Sequence, residues 1–383
     1  MSLESSWLGV AGGLLLPAIG HAYHFIVAVN VTSGMGLKET TTARIRNALG
    51  VCLAATSGWL LWKHASAPWW TWDWPLRGYA WLCLISGGLT LPLTSLALFL
   101  RRQPARVSGR TECLDLAERE GAEALIGQGR GAWQLRFPGN ESFLLRRREW
   151  TLRYPGLPAG LEGMEILQIS DLHFAPCYDR RYFELVAEAC HDWCPDILVI
   201  TGDLVDDDSV LGWIESVLGP LPARIGKFAI LGNHDAEFHE QTILDALADA
   251  GFHSLEGRWT TIERGGVRVA LGGTSAPWGP ALEPGMIPPA EFRILLSHSP
   301  DQFYRAARWG IDFMMCGHNH GGQIRVPVFG PLFMPSVYSR RFDRGFFERR
   351  ETLMYVNEGV GGMHPIRLGC PPEVSHFVLT GRP

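Results

Sequence analysis

The hydrophobic pattern separates an apolar N-terminal part of the chain from a part in which short apolar runs alternate with polar residues. Asp, Glu, Lys and Arg are absent from residues 5–37, from residues 47–62 and from residues 78–100. A helix that crosses a bilayer needs about 20 apolar residues, and these stretches lack the polar face of a surface helix. We therefore predict a membrane region over residues 1–102 with three transmembrane helices.

The residues that flank these stretches indicate how the helices are oriented. Four Trp residues, at positions 69, 70, 72 and 74, crowd the link before the third stretch, which is typical of a membrane–water interface. Basic residues concentrate in the first loop and after the third stretch, at Lys38, Arg44, Arg46, Arg101 and Arg102. The positive-inside rule then predicts an N-terminus outside the membrane and a cytoplasmic chain after about residue 101.

Two further regions follow the membrane region. Residues 103–160 are predicted to be a connector, and the alternation of apolar and polar positions over Gly131–Tyr154, around Pro138-Gly139-Asn140, predicts a β-hairpin there. From residue 161 to 383, strand-like and helical patterns alternate. Strands are predicted at residues 164–169, 196–200, 227–231, 267–271, 292–296 and 311–315, and helices near residues 182–193, 211–218, 241–250 and 302–308. Near-continuous apolar strands between helices indicate an α/β domain whose sheets are buried on both faces.

Polar side chains follow five of these predicted strands, at the point where each strand ends. The carboxyl ends of strands line the ligand crevice of open α/β sheets, so we expect these side chains to meet. An isolated motif such as Gly-Asn-His-Asp has a plain interpretation as a turn with an Asx cap, but five such motifs at strand ends are hard to explain as turns. The candidate metal ligands are Asp171, His173, Asp203, Asn233, His298, His318 and His320.

The ligand types narrow the choice of metal. Nitrogen and oxygen donors without a thiolate suit Mn, Fe, Zn or Co. Seven ligands exceed the need of one ion, whereas two ions about 3.5–4 Å apart that share a carboxylate would use them all, and Asp203 is the candidate bridge. In Asp171-Leu172-His173 and His318-Asn319-His320, an extended backbone would point both ligands the same way.

Other residues remain open to two interpretations. Cys190 and Cys194 have the spacing of a zinc pair, but a helix with no second Cys/His pair is the stronger interpretation. Trp278 either stacks on a substrate or packs within its loop. Asp206 is expected to support the metal loop through a hydrogen bond to a ligand. The basic stretch Tyr338, Arg340, Arg341 and Arg344 either binds a diphosphate or lipid headgroups, or is a solvated loop.

The motifs, in their order along the chain, resemble those of a known family. Asp-x-His, Gly-Asp-x-x-Asp, Gly-Asn-His-Asp, a lone His and Gly-His-x-His resemble the calcineurin-like metallophosphoesterases over roughly residues 164–380. This resemblance implies a four-layer double β-sandwich flanked by helices, here preceded by the transmembrane helical region. It also implies one metal at Asp171, His173, Asp203 and His320, and a second at Asp203, Asn233, His298 and His318. His234 would then stand beside the leaving group, with Asp235 orienting it.

The resemblance also implies an activity. Family members use two divalent metal ions, of undetermined identity here, to hydrolyse phosphoester or pyrophosphate bonds with a metal-activated hydroxide. The C-terminal residues 355–373 are similar to the bacterial membrane-anchored branch of the family. Together with the three predicted helices and the positive-inside rule, this similarity predicts a multi-pass protein of the bacterial inner membrane with a cytoplasmic catalytic domain. Membrane lipids are expected partners, and a net charge of −5 gives no reason to expect nucleic acid.

Three functions remain open. A lipid-linked substrate such as UDP-2,3-diacylglucosamine would suit a site beside a membrane, although the best-known hydrolases of that lipid have Arg where this chain has His234. A His at that position is typical of broad phosphodiesterases, so a tethered phosphodiesterase or phosphoprotein phosphatase is the alternative. A catalytically retired binding or scaffold module is the third possibility, but every metal-binding motif of the family is intact.

Overall fold

The computed structural model describes residues 3–64, 68–237 and 240–382. The chain divides into two compact units. The first unit consists of Met1–Arg102 and Val326–Arg341, and the second of Gln103–Arg325 and Phe342–Pro383. The residues expected to form a connector, 103–160, therefore fall within the second unit.

The first unit is helical. Its elements are α1 (Leu3–Ser33), α2 (Glu39–His64), and a third run made of α3 (Trp74–Cys83), a π-helical turn (Leu84–Thr90) and α4 (Leu91–Leu100). The π turn ends where Pro92, in the first turn of α4, removes a backbone donor. By length and composition, two stretches of the described chain can cross a membrane, Leu15–Ser33 and Trp74–Leu100. The protein therefore associates with a membrane, whereas α2, where the second span was expected, does not meet the same criterion.

The helices of this unit pack at identifiable contacts. The His21 Nδ1 of α1 lies 2.5 Å from the Ser57 hydroxyl of α2, and Phe25 lies beside Gly50, so the two helices are antiparallel. Gly20 packs so closely on Cys83 that an added Cβ would lie 2.4 Å from the cysteine Cβ. Small residues allow such close approach of membrane helices.

The second unit contains two large sheets. The seven-stranded sheet has the order β1-β2-β15-β3-β4-β5-β6, and the six-stranded sheet has the order β13-β14-β10-β9-β8-β7. The strands are β1 (Val107–Asp115), β2 (Leu144–Arg153), β3 (Glu165–Ile169), β4 (Ile197–Thr201), β5 (Gly226–Ile230), β6 (Phe252–Ser254), β7 (Arg258–Arg264), β8 (Val267–Thr274), β9 (Phe292–Ser297), β10 (Phe313–Cys316), β13 (Gly345–Arg349), β14 (Thr352–Val356) and β15 (Glu373–Thr380). Two further short strands, β11 (Arg325–Val326) and β12 (Gly330–Pro331), pair only with each other, and β12 belongs to the first unit.

Helices cover the outer faces of both sheets. The helices of this unit are α5 (Leu116–Glu120), α6 (Arg180–Glu188), α7 (Glu240–Asp249) and α8 (Phe303–Trp309). Along β4, Ile197 and Val199 enter the core between the sheets, whereas Leu198 and Ile200 pack in the core beneath the helices. This alternation, with both faces buried, explains the continuous apolar strands in the sequence. The expected four-layer α/β double sandwich is confirmed.

All six predicted strands form, with ends that shift by at most three residues. The predicted helices near residues 182–193, 241–250 and 302–308 correspond to α6, α7 and α8. At residues 211–218 the structure has a short π-helical turn, Ile214–Leu218, in place of a longer helix.

The expected β-hairpin over Gly131–Tyr154 is wrong. Only its second half is a strand, β2, and the antiparallel partner is β1, in the register Val107↔Leu152 to Asp115↔Leu144. The first half forms a 3-10 helix, Ala132–Arg136. Its buried residues, Ala132 and Leu135, lie three positions apart, which is the period of a 3-10 helix rather than of a strand.

Candidate metal centre

The candidate ligands follow directly after the strands that position them. In the seven-stranded sheet, β3, β4 and β5 are parallel neighbours, and in the six-stranded sheet β9 and β10 are parallel neighbours. Their carboxyl ends therefore deliver the motifs that begin at Asp171, Asp203, Asn233, His298 and His318 to common edges of the two sheets.

The first group of candidate ligands consists of Asp171, His173, Asp203 and His320, each of which offers one atom within 4.8 Å of the others. The Nε2 atoms of His173 and His320 lie only 3.0 Å apart. His320 Nε2 lies 3.4 Å from Asp171 Oδ1, and His173 Nε2 lies 3.5 Å from Asp203 Oδ2. Nitrogen and oxygen donors that converge in this way suit a divalent cation.

The second group consists of Asp203, His298 and His318, with Asn233 beside them. His318 Nδ1 lies 3.2 Å from His298 Nε2, and Asn233 Oδ1 lies 3.1 Å from the same Nε2. The Asp203 Oδ2 atom lies 3.3 Å from His298 Nε2 and therefore faces both groups. The residues present thus fit two ions that share the Asp203 carboxylate.

The buried carboxylates and imidazoles shift one another's pKa values. Burial opposes the charge on Asp203, but His298 and His234 outweigh it and hold the Asp203 pKa well below its usual range. Burial raises the pKa of Asp171, and the Asp203 charge adds to that effect. Despite burial, Asp203 raises the pKa of His298 to about 9. The pocket therefore favours positive charge next to Asp203, as a cation site requires.

The backbone at these residues is unusual. Asp171, His173, Asp203, His318 and His320 all have positive φ angles, between 46° and 66°. Non-glycine residues rarely adopt this left-handed region, and such strain concentrates at functional sites. The extended backbone expected for Asp171-Leu172-His173 and His318-Asn319-His320 is therefore wrong. His318 and His320 turn to different groups of ligands.

Hydrogen bonds orient two of the imidazoles. His298 Nδ1 lies 2.8 Å from the Thr201 carbonyl oxygen, and His173 Nδ1 lies 2.9 Å from Asp206 Oδ1. A donor proton on Nδ1 leaves the Nε2 lone pair for a metal. The expected hydrogen bond from a metal ligand to Asp206 is present in the structure.

His234 stands beside the first group of ligands. Its ring centroid lies 4.6 Å from that of His173, and its Nδ1 lies 2.8 Å from Asp206 Oδ1. Burial disfavours the charged ring, but the carboxylates of Asp203 and Asp206 outweigh it and raise the His234 pKa to about 10. Cations bound at Asp203 would take up its charge and lower that pKa.

The orienting role expected of Asp235 falls to Asp206. Among the described contacts, the buried Asp235 carboxylate accepts hydrogen bonds from the backbone N–H groups of Leu204, Val205 and Gly232, at 2.8–3.2 Å. Asp235 therefore fixes the two loops that carry Asp203 and Asn233. It remains part of the site, but it acts on the backbone rather than on the His234 ring.

A buried polar cluster behind the site was not predicted. Arg367 is fully buried, and its guanidinium donates to the Gly361 carbonyl at 2.6 Å and approaches His320 Nδ1 at 3.4 Å. Glu358, also buried, binds Arg148 and Arg344. The sequence marked residues 355–373 only by their similarity to the membrane-anchored branch, and that similarity does not indicate which side chains meet.

The other residues that the sequence left open to two interpretations lie in different surroundings. The half-buried Trp278 lies against His318, with ring centroids 4.6 Å apart. In the expected basic stretch, Arg340 belongs to the helical unit and is buried, whereas Arg344 forms an ion pair with Glu358 at 2.9 Å. Cys190 and Cys194 are free thiols outside every group of three or more potential metal ligands in the described part of the chain.

Known proteins resemble this chain. The profile of the calcineurin-like phosphoesterases matches residues 164–322. The metallophosphoesterase YkuE of Bacillus subtilis is 29% identical, over 62% of this chain and 87% of YkuE. The phosphodiesterase YaeI of Escherichia coli is 33% identical, over 56% of this chain and 82% of YaeI.

A further relative has a named lipid substrate. The UDP-2,3-diacylglucosamine pyrophosphatase LpxG of Chlamydia muridarum is 27% identical, over 60% of this chain and 87% of LpxG. The double sandwich, the two groups of candidate ligands and these similarities all indicate the same family. The chain belongs to the calcineurin-like metallophosphoesterase family and is a metal-dependent phosphoesterase.

Proposed function

We propose that this protein is a membrane-anchored hydrolase with two metal ions, which cleaves a phosphoester or pyrophosphate bond of a lipid-linked substrate. The observation that carries the proposal is the position of Asp203, whose Oδ2 atom faces both groups of ligands. Two ions held in this way would polarise the phosphoryl oxygens and supply a hydroxide nucleophile at neutral pH.

The residues of the chain have distinct roles in the proposed reaction. Asp171, His173 and His320 would hold the first ion, Asn233, His298 and His318 the second, and Asp203 both. Protonated His234, held at Nδ1 by Asp206, can donate a proton from Nε2 to the leaving oxygen. The Asn233 amide and the His234 ring can stabilise negative charge that develops on the phosphoryl oxygens.

A lipid-linked substrate is supported by the membrane helices and by the similarity to LpxG. UDP-2,3-diacylglucosamine, the substrate in the LpxG name, is our first candidate. The location proposed with it is the bacterial inner membrane, crossed three times, with the catalytic unit in the cytoplasm. Basic residues at Lys38, Arg44, Arg101 and Arg102 support that orientation.

A tethered phosphodiesterase with a broad substrate range is the second candidate. It is favoured by His234, which is typical of broad phosphodiesterases, and by the 33% identity to YaeI, a phosphodiesterase by name. A phosphoprotein phosphatase would use the same centre. A retired scaffold would bind no metal, which the converging donor atoms argue against.

The test uses the full-length protein in detergent or nanodiscs. Bound metals are counted, and hydrolysis of a generic phosphodiester and of UDP-2,3-diacylglucosamine is compared with Mn²⁺ present. Selective cleavage of the lipid supports the first candidate, and cleavage without lipid preference supports the second. Two bound metals without turnover of either compound would overturn both substrate assignments, and absence of metal would favour the scaffold.

The variant Asp203→Ala tests whether one carboxylate holds both metal ions. Because both ions depend on this carboxylate, the variant should lose activity and most of the bound metal. If it retained two metals and full activity, the shared-carboxylate assignment would be wrong.

A further inference from the structure

The segment Val326–Arg341 interrupts the catalytic unit. The chain leaves that unit after Arg325 and returns to it at Phe342. The base of the excursion is closed by an ion pair between Arg325 and the buried Asp343, 2.9 Å long. Five residues separate His320, a candidate metal ligand, from the first residue of the segment.

Hydrogen bonds fix the segment to two apolar helices. The buried Asn30 side chain of α1 donates to the Leu332 carbonyl and to the Ser339 hydroxyl, both at 3.0 Å, and accepts from the Met334 N–H at 2.8 Å. Ser95 of α4 donates to the Phe329 carbonyl at 3.0 Å. The segment is therefore a built part of the helical unit.

Arg340 strengthens this attachment. The side chain is buried, and its guanidinium donates to the carbonyls of Phe329 and Leu91 at 2.7 Å and 3.3 Å, and to the hydroxyls of Thr94 and Ser95. Charged residues in membrane regions are commonly held by backbone carbonyls and other protein oxygens in this way. Arg340 thus donates hydrogen bonds both to the segment and to α4.

The outward side of the segment is apolar. Val328 is 88% exposed and Phe333 is 50% exposed, and Phe329, Val337 and Tyr338 are also exposed. The neighbouring helix α4 exposes Leu93, Leu96, Phe99 and Leu100. Because Ser95 of α4 donates to the Phe329 carbonyl, the segment and α4 are in contact, and both expose apolar side chains, as interaction surfaces do.

The attachment points set the depth of the segment. Asn30 lies three residues before the end of α1 and Ser95 lies five residues before the end of α4. At 1.5 Å per residue, both lie about 5–8 Å inside the helix ends. Arg101 and Arg102 follow directly after α4. With Arg101 and Arg102 at the level of the headgroups, this depth would place the segment at the boundary between headgroups and acyl chains.

We propose that Val326–Arg341 is a membrane-embedded element whose partner is the lipid bilayer, with Val328 and Phe333 among the acyl chains. The proposal rests on the contacts to α1 and α4 and is independent of the substrate. A segment surrounded by water would not combine the buried, hydrogen-bonded Arg340 with so many exposed apolar side chains.

The test measures the depth of nitroxide labels in the full-length protein. Exposed Cys52, Cys113 and Cys194 are first replaced by Ser, so that only the introduced cysteine reacts. Val328→Cys and Phe333→Cys are labelled in separate variants and reconstituted in 3:1 phosphatidylethanolamine–phosphatidylglycerol vesicles. Collisions with oxygen and with a water-soluble nickel chelate are then compared, and bound metal confirms that the catalytic unit is folded.

Two further variants calibrate the measurement. Leu93→Cys, on the exposed face of α4, represents the bilayer, and Trp133→Cys, which is 65% exposed in the catalytic unit, represents water. We expect both segment labels to favour oxygen over the chelate, as the Leu93 label does. Segment labels that match the Trp133 label would overturn the proposal. The second position keeps the test valid if one variant does not fold.

Discussion

At the residue scale, the arrangement around His234 separates metal binding from proton transfer. Its Nδ1 is held by Asp206, so Nε2 is available for a leaving oxygen. His234→Ala should therefore keep both metals while kcat falls by about 10²–10⁴-fold, the usual scale for a general acid. Metal analysis and steady-state kinetics on the same preparation test this, and loss of both metals would show that His234 is a ligand.

Asp206 contacts both His173 and His234, so its removal should affect metal binding as well as turnover. We expect Asp206→Asn to weaken metal affinity by about 10–100-fold, since a ligand imidazole loses its charged partner. Metal titration of the stripped protein measures this. Asp207→Asn is the matched control, because the hydrogen bonds that the Asp207 carboxylate accepts within residues 3–64, 68–237 and 240–382 come from Ser209 alone, and this variant should bind metal normally.

Glu358 should make stability depend on pH in the acid range. Burial opposes its charge, but Arg148 and Arg344 outweigh burial and lower its pKa to about 2, from the usual 4.5. The folded-state pKa is depressed, so the stabilisation is complete above pH 4.5 and is lost as pH falls through 2. This corresponds to about 3 kcal/mol in the free energy of unfolding.

Glu358→Gln should therefore lower the thermal midpoint at pH 7, and the difference from the wild type should shrink below pH 4.5. Thermal unfolding in detergent across this pH range measures it. Glu123→Gln is the control, since its exposed carboxylate pairs with Arg136 at the surface. A Glu358 effect that did not change with pH would show that packing, rather than charge, is responsible.

At the element scale, the glycines of the apolar helices differ in how closely a neighbouring helix packs on them. A Cβ at Gly20 would meet Cys83 at 2.4 Å, whereas a Cβ at Gly58 would meet no atom within 4 Å. We expect Gly20→Leu to force α1 away from the third helical run, at a cost of about 1–3 kcal/mol or more. Gly58→Leu should be neutral or slightly stabilising, because Leu favours helix more than Gly.

The two variants are compared by their thermal midpoints in the same detergent. A lower midpoint for Gly20→Leu alone supports the helix contact. Equal midpoints would indicate that α1 does not pack on Cys83 in the folded protein.

At the scale of the whole molecule, the directions of the helices predict the topology. Gly13 lies beside Trp72, Gly20 beside Cys83, and Asn30 and Ser95 bind the same segment, so α1 and the third helical run have the same direction. Two parallel spans would require a return crossing, and we predict that α2, antiparallel to α1 and about 39 Å long at 1.5 Å per residue, supplies it.

Reporter fusions in a bacterial host test this topology. A fusion after residue 36 should be active with a cytoplasmic reporter, and a fusion after residue 67 should be active with a periplasmic one. If both fusions report the same side, α2 does not cross the membrane. If the two sides are exchanged, the orientation inferred from the basic residues is wrong.

The strands and the site motifs could be predicted because their causes are local. A strand buried on both faces favours a continuous apolar run, and β4, Ile197–Thr201, has one up to its last residue. The donor atoms of this metal centre come from Asp, His and Asn, and these residues follow the ends of predicted strands. The hairpin over Gly131–Tyr154 could not be predicted reliably, because alternation alone does not reveal that β1, about 40 residues earlier in sequence, pairs with β2.

By itself, the sequence determined the association with a membrane through two apolar stretches, the layered α/β domain and the residue types of the metal centre, because hydrophobic periodicity and ligand chemistry are local properties of the sequence. The tertiary structure alone decided that Asp206 rather than Asp235 holds His234, and that Arg367 stands behind His320. It also decided that Val326–Arg341 packs among the helices. Each of these depends on which distant side chains share one buried space, and no local pattern encodes that choice.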